Sequence, residues 1–169
     1  MYNARAPLEA KIVILGSQGV GKTSIAERFL ARSFSPNSTS TIGACFMAKK
    51  LTIDNSRVSL QIWDTAGQEL RRNMTEELII VVVANKLDLA LYEREVPSEE
   101  AREYTTRILG TDTLFYEVSA KEDNGTIEDI FVYIARLLLE QYHPPRILSP
   151  PRGRLGDDSA APQSSCCGF

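Results

Sequence analysis

The chain has 169 residues, 43% of them hydrophobic and 24% charged, with 19 Lys and Arg against 22 Asp and Glu. That is room for one α/β domain with a sizeable core, and it excludes an acidic disordered chain and a membrane bundle. A formal charge of −3 gives no whole-chain attraction to nucleic acid or anionic lipid, so no nucleic-acid partner is expected.

In chain order, Lys11 to Leu15 is a compact β-branched run, apolar enough on both faces for an interior strand. It is too short for a signal peptide and leads into glycine-rich turn chemistry. Gly16 to Gly21 breaks the strand, and Ile25, Phe29 and Leu30 then mark one face of a helix. Cys45 to Ile53 and Arg57 to Trp63 read as strands joined by a hairpin turn at Asp54-Asn55-Ser56. Cys45, alone in its stretch, reads as an inert buried thiol, and the cysteine pattern as a whole fits a reducing, intracellular setting. Leu78 to Val83 is the most apolar strand and wants cover on both faces. The run from Leu78 to Ala84 is far short of the roughly 18 residues of a membrane span.

Residues 98–109 read as a helix through Ala101, Tyr104, Thr105 and Ile108, and Leu114 to Val118 as a short strand. A long helix follows, with Thr126 as cap, Asp129 at the capping-box position and a face of Ile127, Ile130, Phe131, Ile134 and Leu138. Five of the 8 Pro fall after His143, so residues 143–169 read as a flexible tail behind a domain at 1–142. The alternation predicts an open, mainly parallel α/β sheet with ligands at the carboxyl ends of the strands.

Gly16-Ser17-Gln18-Gly19-Val20-Gly21-Lys22-Thr23 matches G-x-x-x-x-G-K-[ST], with a strand before it and a helix after it. Glycines let consecutive N–H groups curl round an oxyanion, toward which the helix turns its positive end. Ser17, Gln18, Gly19, Val20, Gly21, Lys22, Thr23 and Ser24 are the expected phosphate-binding residues, with Lys22 on the β and γ phosphates and Thr23 on Mg²⁺. Asp64 is placed to contact Mg²⁺ through water, Gly67 to face a γ-phosphate, and Gln68 to orient an attacking water. Asn85-Lys86-Leu87-Asp88 ends an apolar strand; the Asp88 carboxylate selects guanine, whose N1 and N2 both donate. Ser119-Ala120-Lys121, after the next strand, brings a backbone N–H toward the guanine oxygen.

These motifs, with Thr41-Ile42-Gly43-Ala44 and Trp63 through Glu69, stand in the order of the Rab family of small GTPases, which the chain resembles, within it the endosomal branch. The resemblance implies a three-layer P-loop fold, GTP/GDP with Mg²⁺, and hydrolysis in which Gln68 orients water and Lys22 stabilises the transferring phosphoryl group. It makes Thr41 the switch threonine on Mg²⁺ and the γ-phosphate, and Phe34 the aromatic beside the guanine. Ile42, Gly43, Phe46 and Trp63 become a state-dependent effector surface. Implied partners are an exchange factor, a GTPase-activating protein, effectors, a GDP-dissociation inhibitor and the prenylation machinery. The implied location is the cytoplasmic face of endosomal or other vesicle membranes, with cycling through the cytosol.

Two features depart from the family. Only residues 70–85 carry the chain from Glu69 to the guanine-reading Asn85. A typical member places a helix, a central strand and another helix before that strand, so about 35 to 40 residues are missing at 69/70. Either the Leu78 strand moves inward by about 4.8 Å, misplacing Asn85 and Asp88, or the slot stays open and leaves unpaired strand edges. A second reading is therefore a catalytically inactive relative, an alternatively processed or gene-model product with weak or absent nucleotide binding. The other departure is Gln18, a long amide where small side chains are usual, which is expected to slow hydrolysis. The ending Cys166-Cys167-Gly168-Phe169 resembles the family's double-cysteine prenylation site; two lipids anchor stably where one binds reversibly.

Overall fold

The computed structural model describes residues 7–36, 41, 43, 45–64 and 78–142. The expected tail, the segment Thr65 to Glu69, Ile42 and the terminal cysteines lie outside the described residues. Strand β1 (Leu8–Ile14) runs through the glycine loop into helix α1 (Lys22–Ala31); β2 (Cys45–Ile53) and β3 (Ser56–Asp64) form a hairpin. Then follow β4 (Val81–Ala84), a short 3₁₀ turn at Leu87–Leu89, α2 (Ala90–Glu93), α3 (Ser98–Leu109), β5 (Leu114–Glu117) and α4 (Thr126–Tyr142).

The strands make two sheets. In one the order is β1-β3-β2, with β1 parallel to β3 and β2 antiparallel to it; in the other, β4 and β5 are parallel. Among the described residues no ladder joins β1 to β4. Of the two outcomes weighed from sequence, an inward shift that pairs β4 with β1 is not seen among the described residues. The fold is a mixed, mostly parallel α/β P-loop architecture, reduced in strands and helices.

The β2–β3 register pairs Ile53 with Ser56, leaving a two-residue turn at Asp54 (φ 48°) and Asn55 (φ 61°). Positive φ at both central residues is the twist that short hairpins require, and Asp and Asn tolerate it best after glycine. Along β3, Val58, Leu60 and Ile62 are buried while Ser59 and Gln61 are half-buried, the alternation of a one-sided strand. They share one core with Ala10, Phe29, Val118, Ile127, Ile130, Phe131 and Ala135, so apolar packing spans both sheets where the hydrogen-bond ladder does not. The Phe29 and Phe131 rings stack at 4.0 Å, fastening α1 to α4.

Several expectations need correction. Cys45 is exposed, because it opens β2 opposite Asp64 at the end of the ladder. The apolar strand from Leu78 is shorter than its sequence suggests: Leu78 and Ile80 are 52% and 46% exposed, and all four residues of β4 are only half-buried. With four-residue β5 as its partner, β4 has neither the length of ladder nor the cover that its composition calls for. Helix α3 spans the expected 98–109, yet it buries Thr105 alone and leaves Tyr104 and Ile108 more than half exposed. Thr126 is the first residue of α4 and not its cap. Asp123 Oδ1 accepts from the Ile127 N–H, and Asn124 Oδ1 from the N–H and hydroxyl of Thr126.

Candidate functional site

The loop between β1 and α1 has the backbone its glycines allow. Gly19 and Gly21 sit at φ 82° and 92°, where residues with a Cβ are strained. A Cβ on Gly21 would lie 2.3 Å from Asn85 Nδ2, so this glycine is also a point of close approach. Lys22 folds back over the loop, its Nζ donating to the carbonyls of Gly16 (2.9 Å) and Ser17 (3.0 Å). Those bonds hold the ammonium at the loop's mouth, above the backbone that would receive phosphate. Ser17, Gln18 and Val20 are exposed around it and Ser24 is half-buried on the first turn of α1.

The three expected metal-contacting side chains converge. Thr23 Oγ1 donates to Asp64 Oδ2 and lies 2.8 Å from Thr41 Oγ1. Since the single Thr23 proton goes to the carboxylate, Thr41 is the donor of the second bond. Asp64 is fully buried and its Oδ1 has no hydrogen-bond partner among the described residues. A buried carboxylate oxygen left over beside two hydroxyls is the donor set of a hard divalent cation such as Mg²⁺, and the residues fit one.

At the other end, β4 and β5 deliver two loops to the same edge. Lys86 holds a left-handed backbone (φ 68°), which turns the chain sharply after Asn85. Asp88 Oδ1 accepts from Ser119 Oγ at 2.6 Å, and its Oδ2 lies 3.9 Å from Lys121 Nζ. Ser119 Oγ in turn accepts from the Glu122 N–H, which fixes the hydroxyl's direction. The carboxylate is thus oriented, with acceptor capacity to spare.

Asn85 ties the two ends together. Its Nδ2 donates to the Val20 carbonyl of the glycine loop (3.0 Å) and its Oδ1 accepts from the Ala120 N–H (3.0 Å). One backbone N–H of the Ser119-Ala120-Lys121 stretch, that of Ala120, is therefore engaged by Asn85. Phe34 packs half-buried against the core. Phe46 is 52% exposed and meets Trp63 edge-on at 5.1 Å, so it presents a surface and is not a core residue. Gly43 is exposed with open space about it. Gly67, Gln68 and Ile42 lie outside the described residues.

Sequence reasoning passed over Arg28. Its Nε donates to the Ala120 carbonyl (2.8 Å), one terminal nitrogen to the Lys121 carbonyl (2.9 Å) and the other to the Arg32 carbonyl (2.9 Å). A helical arginine near an apolar face carries no signal of this in one sequence, since the acceptors stand 92 and 93 residues further on.

A glycine-rich loop between a parallel strand and a helix, with a carboxylate and two hydroxyls beside it, defines a P-loop nucleotide-binding fold. The Ras family profile matches residues 11–79 and 69–140. The chain is 33% identical over 207 residues to the Ras-like GTP-binding protein RYL2 of Yarrowia lipolytica, covering 95% of this chain and 99% of that one. It is 31% identical over 197 residues to the human Ras-related protein Rab-30 (94% and 95% covered) and 32% identical over 200 residues to the dog Ras-related protein Rab-22A (94% and 98%). The chain belongs to the Ras family. That membership supports, in general terms, a GTP-binding switch with GTPase-type chemistry.

Proposed function

We propose that this chain is a Rab-type GTP/GDP switch of vesicle and endosomal traffic. The observation that carries the reading is the double engagement of Asn85, which holds the base-reading loops against the phosphate loop where no ladder joins the two sheets among the described residues. In this reading the loop backbone from Ser17 to Ser24, with Lys22, grips the phosphates, and Asp88 with the 119–121 loop selects guanine. Mg²⁺, when bound, would supply charge neutralisation at the phosphates. Thr23, Thr41 and Asp64 would hold it, with Asp64 acting through water. Gln68 orients the attacking water and Lys22 stabilises the transferring phosphoryl group. Gly67 meets the γ-phosphate, Phe34 lies beside the guanine, and Lys86 lines the base pocket.

The effector surface comprises Ile42, Gly43, Phe46 and Trp63, and Cys166 and Cys167 are prenylated in the segment after the domain, 143–169. Exchange factor, GTPase-activating protein, effectors, GDP-dissociation inhibitor and prenylation machinery are the partners. Membrane attachment is through lipid on the cytoplasmic side; no helix among the described residues is long and apolar enough to cross a membrane.

An internal gap near 69/70 is supported by three observations. The family profile matches in two segments, the alignment to RYL2 runs over 207 positions against 169 residues here, and no ladder joins β1 to β4 among the described residues. The last of these favours the second reading, a relative that has lost turnover, because an unpaired edge weakens the sheet that carries both loops. Thermal melting with and without Mg²⁺·GDP tests the two. A ligand at about a hundred times its Kd raises Tm by about 5–10 °C in a domain of this size. An unchanged Tm, with a compact soluble sample, removes the switch and leaves the inactive relative.

A further inference from the structure

We propose that Arg28 is a positioning residue for base recognition: its guanidinium clamps the carbonyls of Ala120 and Lys121 and thereby sets where the guanine-reading loop stands relative to the phosphate loop. The inference rests on the guanine-binding reading above and names a device that the motifs do not contain. Arg28 lies in the last turn of α1, the helix that starts at the phosphate loop. Its planar fork matches two successive carbonyls, a geometry that a point-like ammonium does not reproduce. The third bond, to the Arg32 carbonyl, locks the fork to the helix end, where Arg32 takes a left-handed backbone (φ 54°).

The seam in the sheet makes this clamp consequential. No strand ladder joins the β1-β3-β2 sheet to the β4-β5 sheet among the described residues. The height of the 119–121 loop over the phosphate loop is therefore set by side chains and core packing. Two side chains meet at Ala120: Asn85 takes its N–H and Arg28 takes its carbonyl. Asn85 reaches it from the loop after β4 and Arg28 from α1. One residue of the base loop is thus held on both its N–H and its carbonyl, from the loop after β4 and from α1. A second tie runs alongside, from Arg32 to Glu128 (2.7 Å) and from Glu128 to Lys49 of β2 (3.7 Å), but Arg32 is largely exposed and that tie is correspondingly weak.

The test uses the full chain with Arg28→Ala and Arg28→Lys. Release of fluorescent GDP is timed with Mg²⁺ and after chelation, and amide exchange of residues 118–122 is followed without nucleotide. Losing charged hydrogen bonds to the loop is expected to speed GDP release about tenfold. The fold-acceleration on chelating Mg²⁺ stays as in the wild type, because the phosphate end is untouched. Exchange at 118–122 quickens while exchange in β3 does not. Arg28→Lys keeps the stem packing and the charge, so it answers for any folding failure of Arg28→Ala, and it too is expected to release GDP faster. Release within twofold of wild type together with unchanged exchange at 118–122 overturns the proposal, as does exchange that rises equally through the whole chain. Should the wild type bind no GDP, the guanine reading falls. The exchange comparison then decides the clamp alone: faster exchange confined to the loop supports it, and no change overturns it.

Discussion

Gly21 carries two separate demands, a backbone at φ 92° and a Cβ position occupied by Asn85 Nδ2. Gly21→Ala would strain the first and push Asn85 off the Val20 carbonyl, so nucleotide affinity should fall by at least about tenfold. Titration with fluorescent GDP reads the loss, and an affinity within twofold of wild type would mean the close approach is relaxed in solution. Gln18 is exposed on the same loop. If its amide crowds the attacking water, Gln18→Ala raises the single-turnover hydrolysis rate of GTP; equal rates retire that idea. Both residues stood in a motif, which is why their location was readable in advance. The contact between Gly21 and Asn85 was not, because nothing local relates two positions 64 residues apart.

The helix α4 shows how far periodicity reaches at the scale of elements. Ile127, Ile130 and Phe131 were legible as one face and are buried, and the stacked Phe29–Phe131 pair turns that face into a joint with α1. Phe131→Ala should cost about 3–5 kcal/mol in urea unfolding, and a cost below about 1 kcal/mol would show that α4 is not seated on the core. The ion pair Arg94–Glu117 (2.6 Å) ties the segment after α2 to β5. Its hydrogen bond to Arg94 holds the Glu117 carboxyl below the ordinary carboxylate value, while partial burial opposes this. A depressed folded pKa contributes stability that is complete above the unfolded value and lost as pH falls through the folded one. The stability lost on acidifying from about pH 6 to about pH 3 should therefore be smaller in Arg94→Ala than in wild type. Equal losses in the two proteins would discount the pair. Where periodicity failed, at Leu78, Ile80, Tyr104 and Ile108, the residues are apolar in pattern but remain about half exposed.

For the whole molecule the decisive feature is a core that is continuous where, among the described residues, the strand ladder is not. Packing is non-directional and tolerates a seam, whereas strand pairing needs adjacent backbones. Amides of β4 and β5 should accordingly exchange faster than those of Val58 to Ile62, which have strands on both sides. Uniform protection across both sheets in a hydrogen-exchange map would contradict this division. The same seam explains why two side chains, Asn85 and Arg28, hold the loops that the ladder would otherwise register.

The motifs in the sequence pointed to the family and to the expected phosphate and base loops, with Thr41 added by the family resemblance, because such motifs depend on residue types at short intervals and in a definite order. Their spacing also exposed the short connection after Glu69, a matter of length. Only the tertiary structure left β4 paired with β5 and not with β1 among the described residues, turned Cys45 outward, and brought Arg28 onto the Ala120 and Lys121 carbonyls. Those outcomes depend on which distant backbones come within hydrogen-bond range, and no local pattern of residues encodes that.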